Sequence, residues 1–337
     1  MIKLIVTTFV LSFVVEGFSL KDVILQPTLL VEGKPEHPTF SQLLSGEKEA
    51  PPPERFFHPT GLEVDREGNL YVADTENQRI VKFSKEGKFL RQIDRTDVPW
   101  ETFAPLDLAF DDAGRMYVLA FSRLYYKVAM FDEECNFLRG FNVRGTIGWP
   151  GIAIDSQGLI YLNVPDQEAL FSVYSKEGEK VDSFGEITRY DDPNRQRNFN
   201  SVVFCFDKQG FLNVLYKAKP IFRRYDKNHR LVFEKEIEGE EIEIMNRRAA
   251  KLKGCCNFIP YFLDIVPADD GGVIAKLSTW RIFYWFDRDG NLNKRLISAQ
   301  ECDPKEVWIE RICIDKEGNL YGLNPVSSRI YRYAAKR

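Results

Sequence analysis

The side chains best placed for chemistry stand where apolar segments of this chain begin or end. His58, Asp107, Trp149, Asn200, Asp264, Trp308 and Glu310 each stand at or just before the start of such a segment. Glu76, Arg123, Asp166, Lys217, Trp280 and Arg281 stand in loops that belong to the same end. The oxygens of Asp107, Asn200, Asp264 and Glu310 are the donors that a hard cation such as calcium takes. Indole planes beside carboxylates suit stacking on a sugar and recognition of its hydroxyls. Aromatics at the starts of strands also serve simply to cover a core.

Other chemistries fit less well. The three histidines, His37, His58 and His229, are too dispersed for a zinc site. Six cysteines, Cys135, Cys205, Cys255, Cys256, Cys302 and Cys313, contain no CxxC pair. Cys205 and Cys313 sit in apolar strand patterns and read as buried thiols, while a bridge from Cys255 or Cys256 to Cys302 stays open. Lys217, Lys219, Arg223, Arg224, Lys227, His229 and Arg230 form a basic cluster, but alternation along a strand splits it between two surfaces. With a net charge of −4 and pI near 5.7, a nucleic-acid partner is not expected.

A repeated phrase positions these residues: an apolar strand, Asp-x-x-Gly, and a second apolar strand. It runs from Leu62 through Asp65 and Gly68 to Val72 and returns at 111–114, 155–158, 207–210, 269–272 and 315–318. Aspartate bonds the backbone two residues on, and glycine supplies the positive φ of a tight turn. A second, aromatic-led turn follows, as in Phe83-Ser84-Lys85-Glu86-Gly87 and Phe286-Asp287-Arg288-Asp289-Gly290. The period of about 45 residues and the paired turns predict an all-β, six-bladed β-propeller of four-stranded antiparallel blades. Strands a, b, c and d of each blade are joined by hairpins. Strand direction puts the start of strand a and the b–c loop at one end, around the central channel.

The last unit stops without its fourth strand, and Val23 to Val31 has no unit of its own. This segment is expected to pair there and close the ring, because native sheets avoid open edges. Gly33 to Glu54, with Pro51-Pro52-Pro53, reads as a connector. Between blades 4 and 5, residues 238–260 form an insertion. Acidic residues at Glu240 and Glu241 and basic ones at Arg247 and Arg248 predict a short helix there. Lys3 followed by apolar Leu4 to Val15 predicts a secretory signal peptide over 1–19, too short to span a membrane.

Pro59-Thr60-Gly61-Leu62 and Asp74-Thr75-Glu76-Asn77-Gln78-Arg79-Ile80 resemble an NHL repeat, with its Asp-x-x-x-x-Arg core. Asn324-Pro325-Val326-Ser327-Ser328-Arg329-Ile330 is a weaker copy, and the middle units depart from the pattern. The resemblance implies the fold, with Asp74 and Arg79 in structural roles; the family binds RNA or protein, catalyses, or is exported with unknown ligands, so it does not imply the task. The expectation is an exported, secreted or periplasmic monomer: leader 1–19, closing strand and connector 20–56, propeller 57–337. It would hold a protein, peptide or carbohydrate on the channel face, through His58, Asp107, Trp149, Asn200, Asp264, Trp280, Arg281, Trp308 and Glu310, without a cofactor. The alternative is a calcium-dependent hydrolase or lyase using Asp107, Asn200, Asp264 and Glu310. That would be similar to the six-bladed gluconolactonase family, although no motif of that family is present.

Overall fold

The computed structural model describes residues 21–32, 52–122, 125–143, 151–163, 168–252, 259–279, 281–299 and 309–335. The expected leader over 1–19, most of the connector, Trp149, Trp280, Trp308, Arg123, Asp166, Cys255, Cys256 and Cys302 lie outside these residues. After β1 (Lys21–Glu32) the chain lays down antiparallel units in sequence order. The first is β2 (Pro59–Val64), β3 (Leu70–Asp74), β4 (Arg79–Phe83) and β5 (Phe89–Asp94). The second is β6 (Ala104–Phe110), β7 (Met116–Ser122), β8 (Tyr125–Phe131) and β9 (Phe137–Val143). The third is β10 (Gly151–Ile154), β11 (Ile160–Asn163), β12 (Phe171–Tyr174) and β13 (Lys180–Phe184). The fourth is β14 (Val202–Phe206), β15 (Leu212–Tyr216), β16 (Ile221–Tyr225) and β17 (Leu231–Glu236), preceded by helix α1 (Pro193–Phe199) and followed by α2 (Glu240–Ala249). Then come β18 (Phe262–Pro267), β19 (Val273–Leu277), β20 (Ile282–Phe286) and β21 (Leu292–Ser298), and finally β22 (Arg311–Ile314), β23 (Leu320–Asn324) and β24 (Arg329–Ala335).

Each unit begins with an inner strand, and these touch in a closed circuit: β2 to β6, β10, β14, β18, β22 and back to β2. The last two units share one eight-stranded sheet because β1 lies between them. Its first half runs parallel to β21, from Lys21 opposite Lys294 to Leu25 opposite Ser298. Its second half runs antiparallel to β24, from Leu25 opposite Ala335 to Glu32 opposite Arg329. The first unit leans on it as well: a Cβ on Gly87 would come 2.2 Å from the Leu30 carbonyl oxygen.

Apolar side chains meet between consecutive sheets rather than at one centre. Tyr71, Ile80 and Ile93 of the first unit pack with Leu108, Val118 and Phe131 of the second. Leu70, Val72 and Val81 meet Cys313, Leu323 and Ile330 of the last unit, with Val31 beside them. Covered on both faces, β3, β15, β19 and β23 are buried at every position. That explains their near-continuous apolar runs.

The turn aspartate sets the hairpin. Asp65 Oδ1 accepts the amides of Glu67 (2.9 Å) and Asn69 (2.8 Å), and Oδ2 accepts the Tyr71 hydroxyl at 3.2 Å. Asp111, with Tyr117, and Asp155, with Tyr161, repeat the pattern. Asp207 receives Asn213 in place of a tyrosine, and Asp315 receives Tyr321. The fifth unit departs from expectation: its turn is Ala268–Gly271, with Gly271 at φ 82°, rather than 269–272. Alanine therefore stands in the aspartate's place, and Asp269 is left at the surface.

The second turn stitches neighbours. Its last residue takes positive φ at Gly87, Cys135, Gly178, His229 and Gly290. His229 reaches back to the third unit, 2.8 Å from the Tyr161 hydroxyl and 2.6 Å from Asp182 Oδ2, and its ring stacks on Phe184. The helix expected in the insertion is α2, ending at Ala249. Its Glu241 is buried, accepts the Tyr284 hydroxyl at 2.5 Å and lies 3.3 Å from Arg295.

Two aspartates separate these roles. Asp111→Ala strips a buried turn of its acceptor and is expected to cost about 2–4 kcal/mol in urea unfolding, since unmade buried hydrogen bonds cost ~1–3 kcal/mol each. Asp269 is exposed and, among the described residues, pairs with the exposed Lys208, so Asp269→Ala is expected to stay within about 0.5 kcal/mol of the parent. Equal costs would refute the turn assignment.

Candidate functional site

The pairing registers align the inner strands, so their side chains can be compared height by height. Gly61, Asp107, Gly151, Val203, Asp264 and Arg311 occupy equivalent positions. Asp107 and Asp264 belong to the second and fifth units, which face each other across the circuit. Each carboxylate reaches the next inner strand: Asp107 Oδ2 accepts the Ile152 amide at 3.0 Å, and Asp264 Oδ2 accepts the Ile312 amide at 2.8 Å. Gly151 leaves room for the neighbouring Phe204 ring, which a Cβ there would meet at 2.8 Å. Arg311 donates from Nε to the Thr60 carbonyl and from Nη1 to the Leu263 carbonyl at 2.9 Å.

Lys217, one residue past β15, joins Asp107, Asp264 and Arg311 around a space of only about 30 Å³. Below that charged layer a cavity of about 290 Å³ continues along the axis, walled by all six inner strands. Glu63, from β2, projects into its lining. Here too the register is informative, because the other inner strands carry Ala109, Ala153, Cys205, Val266 and Cys313 at Glu63's height.

Burial dominates the charges. It pushes the Glu63 carboxyl up to about 8, with the Asp107 and Asp264 charges adding to the rise. Burial raises Asp107 to about 6 against the opposing pull of Arg311, and it raises Asp264 too. It lowers the Lys217 ammonium to about 7, helped by repulsion from Arg311. Lys276, donating to the Leu277 and Thr279 carbonyls, is lowered to about 7 by the same cause.

Of the residues expected to form a site, Asp107 and Asp264 line the axis. Glu310 is half-buried, and its charge acts on Lys217 and Lys276. Asn200 is buried at the end of α1, where its amide holds Thr188 (2.8 Å) and Gln196 (2.7 Å). His58 is exposed with φ 48°, its ring against Phe57, and Arg281 is exposed at the start of β20. Neither lines either axial space. Trp149, Trp280 and Trp308 lie outside the described residues. Among the described residues no three His, Cys, Asp or Glu side chains converge as a metal would require. Glu63, Arg311 and Lys276 were not anticipated; column-by-column comparison of the repeats would have flagged Glu63 as a charge in an otherwise small or apolar register, and Arg311 as the cation in the register of Asp107 and Asp264.

The NHL repeat model matches residues 56–83. No curated protein matches the chain by sequence. Among solved structures, a catalytically inactive histidine-to-alanine variant of virginiamycin B lyase from Staphylococcus aureus with quinupristin superposes with TM-score 0.55 at 10% identity, covering 82% of this chain and 80% of that one. A streptogramin B lyase gives TM-score 0.52 at 10% identity, covering 83% and 94%. Selenomethionine-substituted virginiamycin B lyase from Staphylococcus aureus gives 0.53 at 9%, covering 93% and 99%. At such identities the likeness concerns the fold alone. The chain is an NHL-repeat-like β-propeller.

The buried charges give opposite pH signatures. Glu63, raised from 4.5 to about 8, contributes stability fully present below 4.5 and lost as pH rises through 8. Glu63→Gln should therefore gain on the parent as pH rises across that window, by up to ~1.4 kcal/mol per pH unit. Lys217, lowered from 10.5 to about 7, contributes stability present above 10.5 and lost as pH falls through 7. Lys217→Met should gain on the parent as pH falls. Urea unfolding at pH 5, 7 and 9 reads both slopes; flat differences would show that these groups are solvated.

Proposed function

We propose that the chain is an exported six-bladed β-propeller that works as a binding module, holding a protein, peptide or carbohydrate on the face where the inner strands begin. The six-strand inner circuit supports the blade number, with β1 completing the last blade. The reading rests on how the centre of that face is filled. The Asp107 and Asp264 carboxylates are already engaged with backbone amides of neighbouring blades, and Lys217 and Arg311 leave about 30 Å³ between them. A ligand on this face therefore sits over the loops rather than in the centre. A pocket of about 300 Å³ is present there between the first and second blades, where Thr75, Glu76 and Gln78 stand with Leu106, Phe121 and Tyr126. Its mixture of aromatic edge and polar loop suits a sugar or a peptide turn. The apolar leader supports export, and the net negative charge argues against nucleic acid.

The competing reading, a calcium-dependent hydrolase or lyase, draws support from the lyase neighbours. It requires Asp107, Asn200, Asp264 and Glu310 to share an ion, while the Asn200 amide is occupied by Thr188 and Gln196.

A thermal-shift screen of glycans and peptides tests the proposal, since a ligand that binds the native state raises the melting temperature. The expected outcome is a stabilising ligand whose affinity falls about tenfold, or ~1.4 kcal/mol, in Glu76→Ala, and no response to calcium. A calcium shift of several degrees that disappears in Asp107→Asn would establish the hydrolase or lyase reading instead.

A further inference from the structure

The axial cavity opens away from the face just described. Val64, Phe110, Ile154, Phe206, Pro267 and Ile314, the last residues of the six inner strands, line that end. All are half-buried, so they form a mouth on the side of the Asp-x-x-Gly turns. The other end is closed by Asp107, Asp264, Arg311 and Lys217. At about 290 Å³ the cavity stands at the lower end of the ~300–1,000 Å³ that ligand pockets span.

Inside it, no cation among the described residues is hydrogen-bonded or ion-paired to Glu63. Its one hydrogen bond among the described residues is from the Val64 amide to Oε2, at 3.1 Å. The side-chain charges acting on it most are the carboxylates of Asp107 and Asp264. Arg311 opposes those two instead, and the thiols of Cys205 and Cys313 both feel Glu63's own charge. A half-buried carboxyl lining such a cavity, in a field of carboxylates, either keeps its proton or takes a cation. The other side chains at its height are small or apolar, and Phe110 and Phe206, packed T-shaped against Tyr71 and Tyr161 respectively, stand at the mouth. A metal ion would want several oxygen ligands at once, which the described residues do not bring together here.

We propose that this cavity is a second binding site, independent of the strand-start face, for an organic cation: an ammonium or guanidinium group on a short apolar stem, entering through the turn-side mouth with Glu63 as its charge partner. Binding ionises Glu63 and expels its proton. Apparent affinity therefore climbs about tenfold per pH unit below the carboxyl's own titration and levels off above pH 8.

The probes are n-butylammonium and n-butylguanidinium, with n-butanol as the neutral isostere, each at about 10 mM in thermal-shift titrations at pH 6 and pH 8. Both cations should stabilise the protein at pH 8 and much less at pH 6, and n-butanol should do neither. Calorimetry at pH 7 in two buffers of different ionisation heat should show close to one proton released per cation bound. Glu63→Gln should abolish the shift. Ala153→Leu, which fills the cavity from the third blade and keeps Glu63, should abolish it independently, so a folding defect in one variant does not decide the result. Equal stabilisation by n-butanol, a shift that survives in Glu63→Gln, or no shift with any cation would each overturn the proposal.

Discussion

The turn aspartate is the interaction on which the rest depends. A carboxylate that accepts two backbone amides and, six residues on, a tyrosine hydroxyl leaves the hairpin between inner strand and second strand only one register. A slip of one residue would turn Leu62, Leu108 and Ile152 out of the contacts between blades. It would also move Asp107 off the Ile152 amide it binds. In the five units that carry the aspartate, the height of the inner-strand side chains is thus set at the surface, by bonds made at the far end of the strand; in the fifth unit, the backbone bonds of the Ala268–Gly271 turn do this alone.

That register decides which buried charges are tolerable. Asp107 and Asp264 lie at one height, opposite each other, and each finds an amide of the next blade and the attraction of Arg311. Burial still costs them, but the carboxylates gain a role that no apolar residue could fill, since they bind one blade's backbone to another's. Glu63, one turn of the pleat further along, meets only its neighbour's amide and the same two carboxylates. Chemically alike groups two residues apart in register are therefore a structural clamp in one case and the proposed charge partner of a cation in the other.

The sequence carried the architecture because the architecture is local. Asp-x-x-Gly and the aromatic-led turns involve residues a few positions apart, and their recurrence needs no knowledge of the tertiary fold. The same logic failed where one copy deviates: in the fifth unit Asp269 and Gly272 matched the pattern, yet Ala268 and Gly271 make the turn. The site was harder to read because it depends on height, which only the pairing registers supply. Asp107 and Asp264 were found from their place at strand starts. Asn200 occupies a similar place in the sequence but is drawn into α1, an element that the repeat did not announce. Glu63 and Arg311 lie within strand patterns, where a charge is easily taken for an outward-facing residue. In a ring of sheets, however, the innermost strand has no outward face.

That same geometry limits what likeness to the lyases conveys. A closed circuit of sheets imposes inner strands, an axis and two loop-bearing ends whatever the chemistry, so a shared path at 10% identity is what the packing alone would produce. Function has to be argued from what fills the axis. Neither histidine among the described residues reaches the axis: His58 is exposed beside Phe57, and His229 is tied to Tyr161 and Asp182 at the seam between the third and fourth blades. What fills the axis is two clamped carboxylates, two cations that crowd them, and one carboxyl below with room around it.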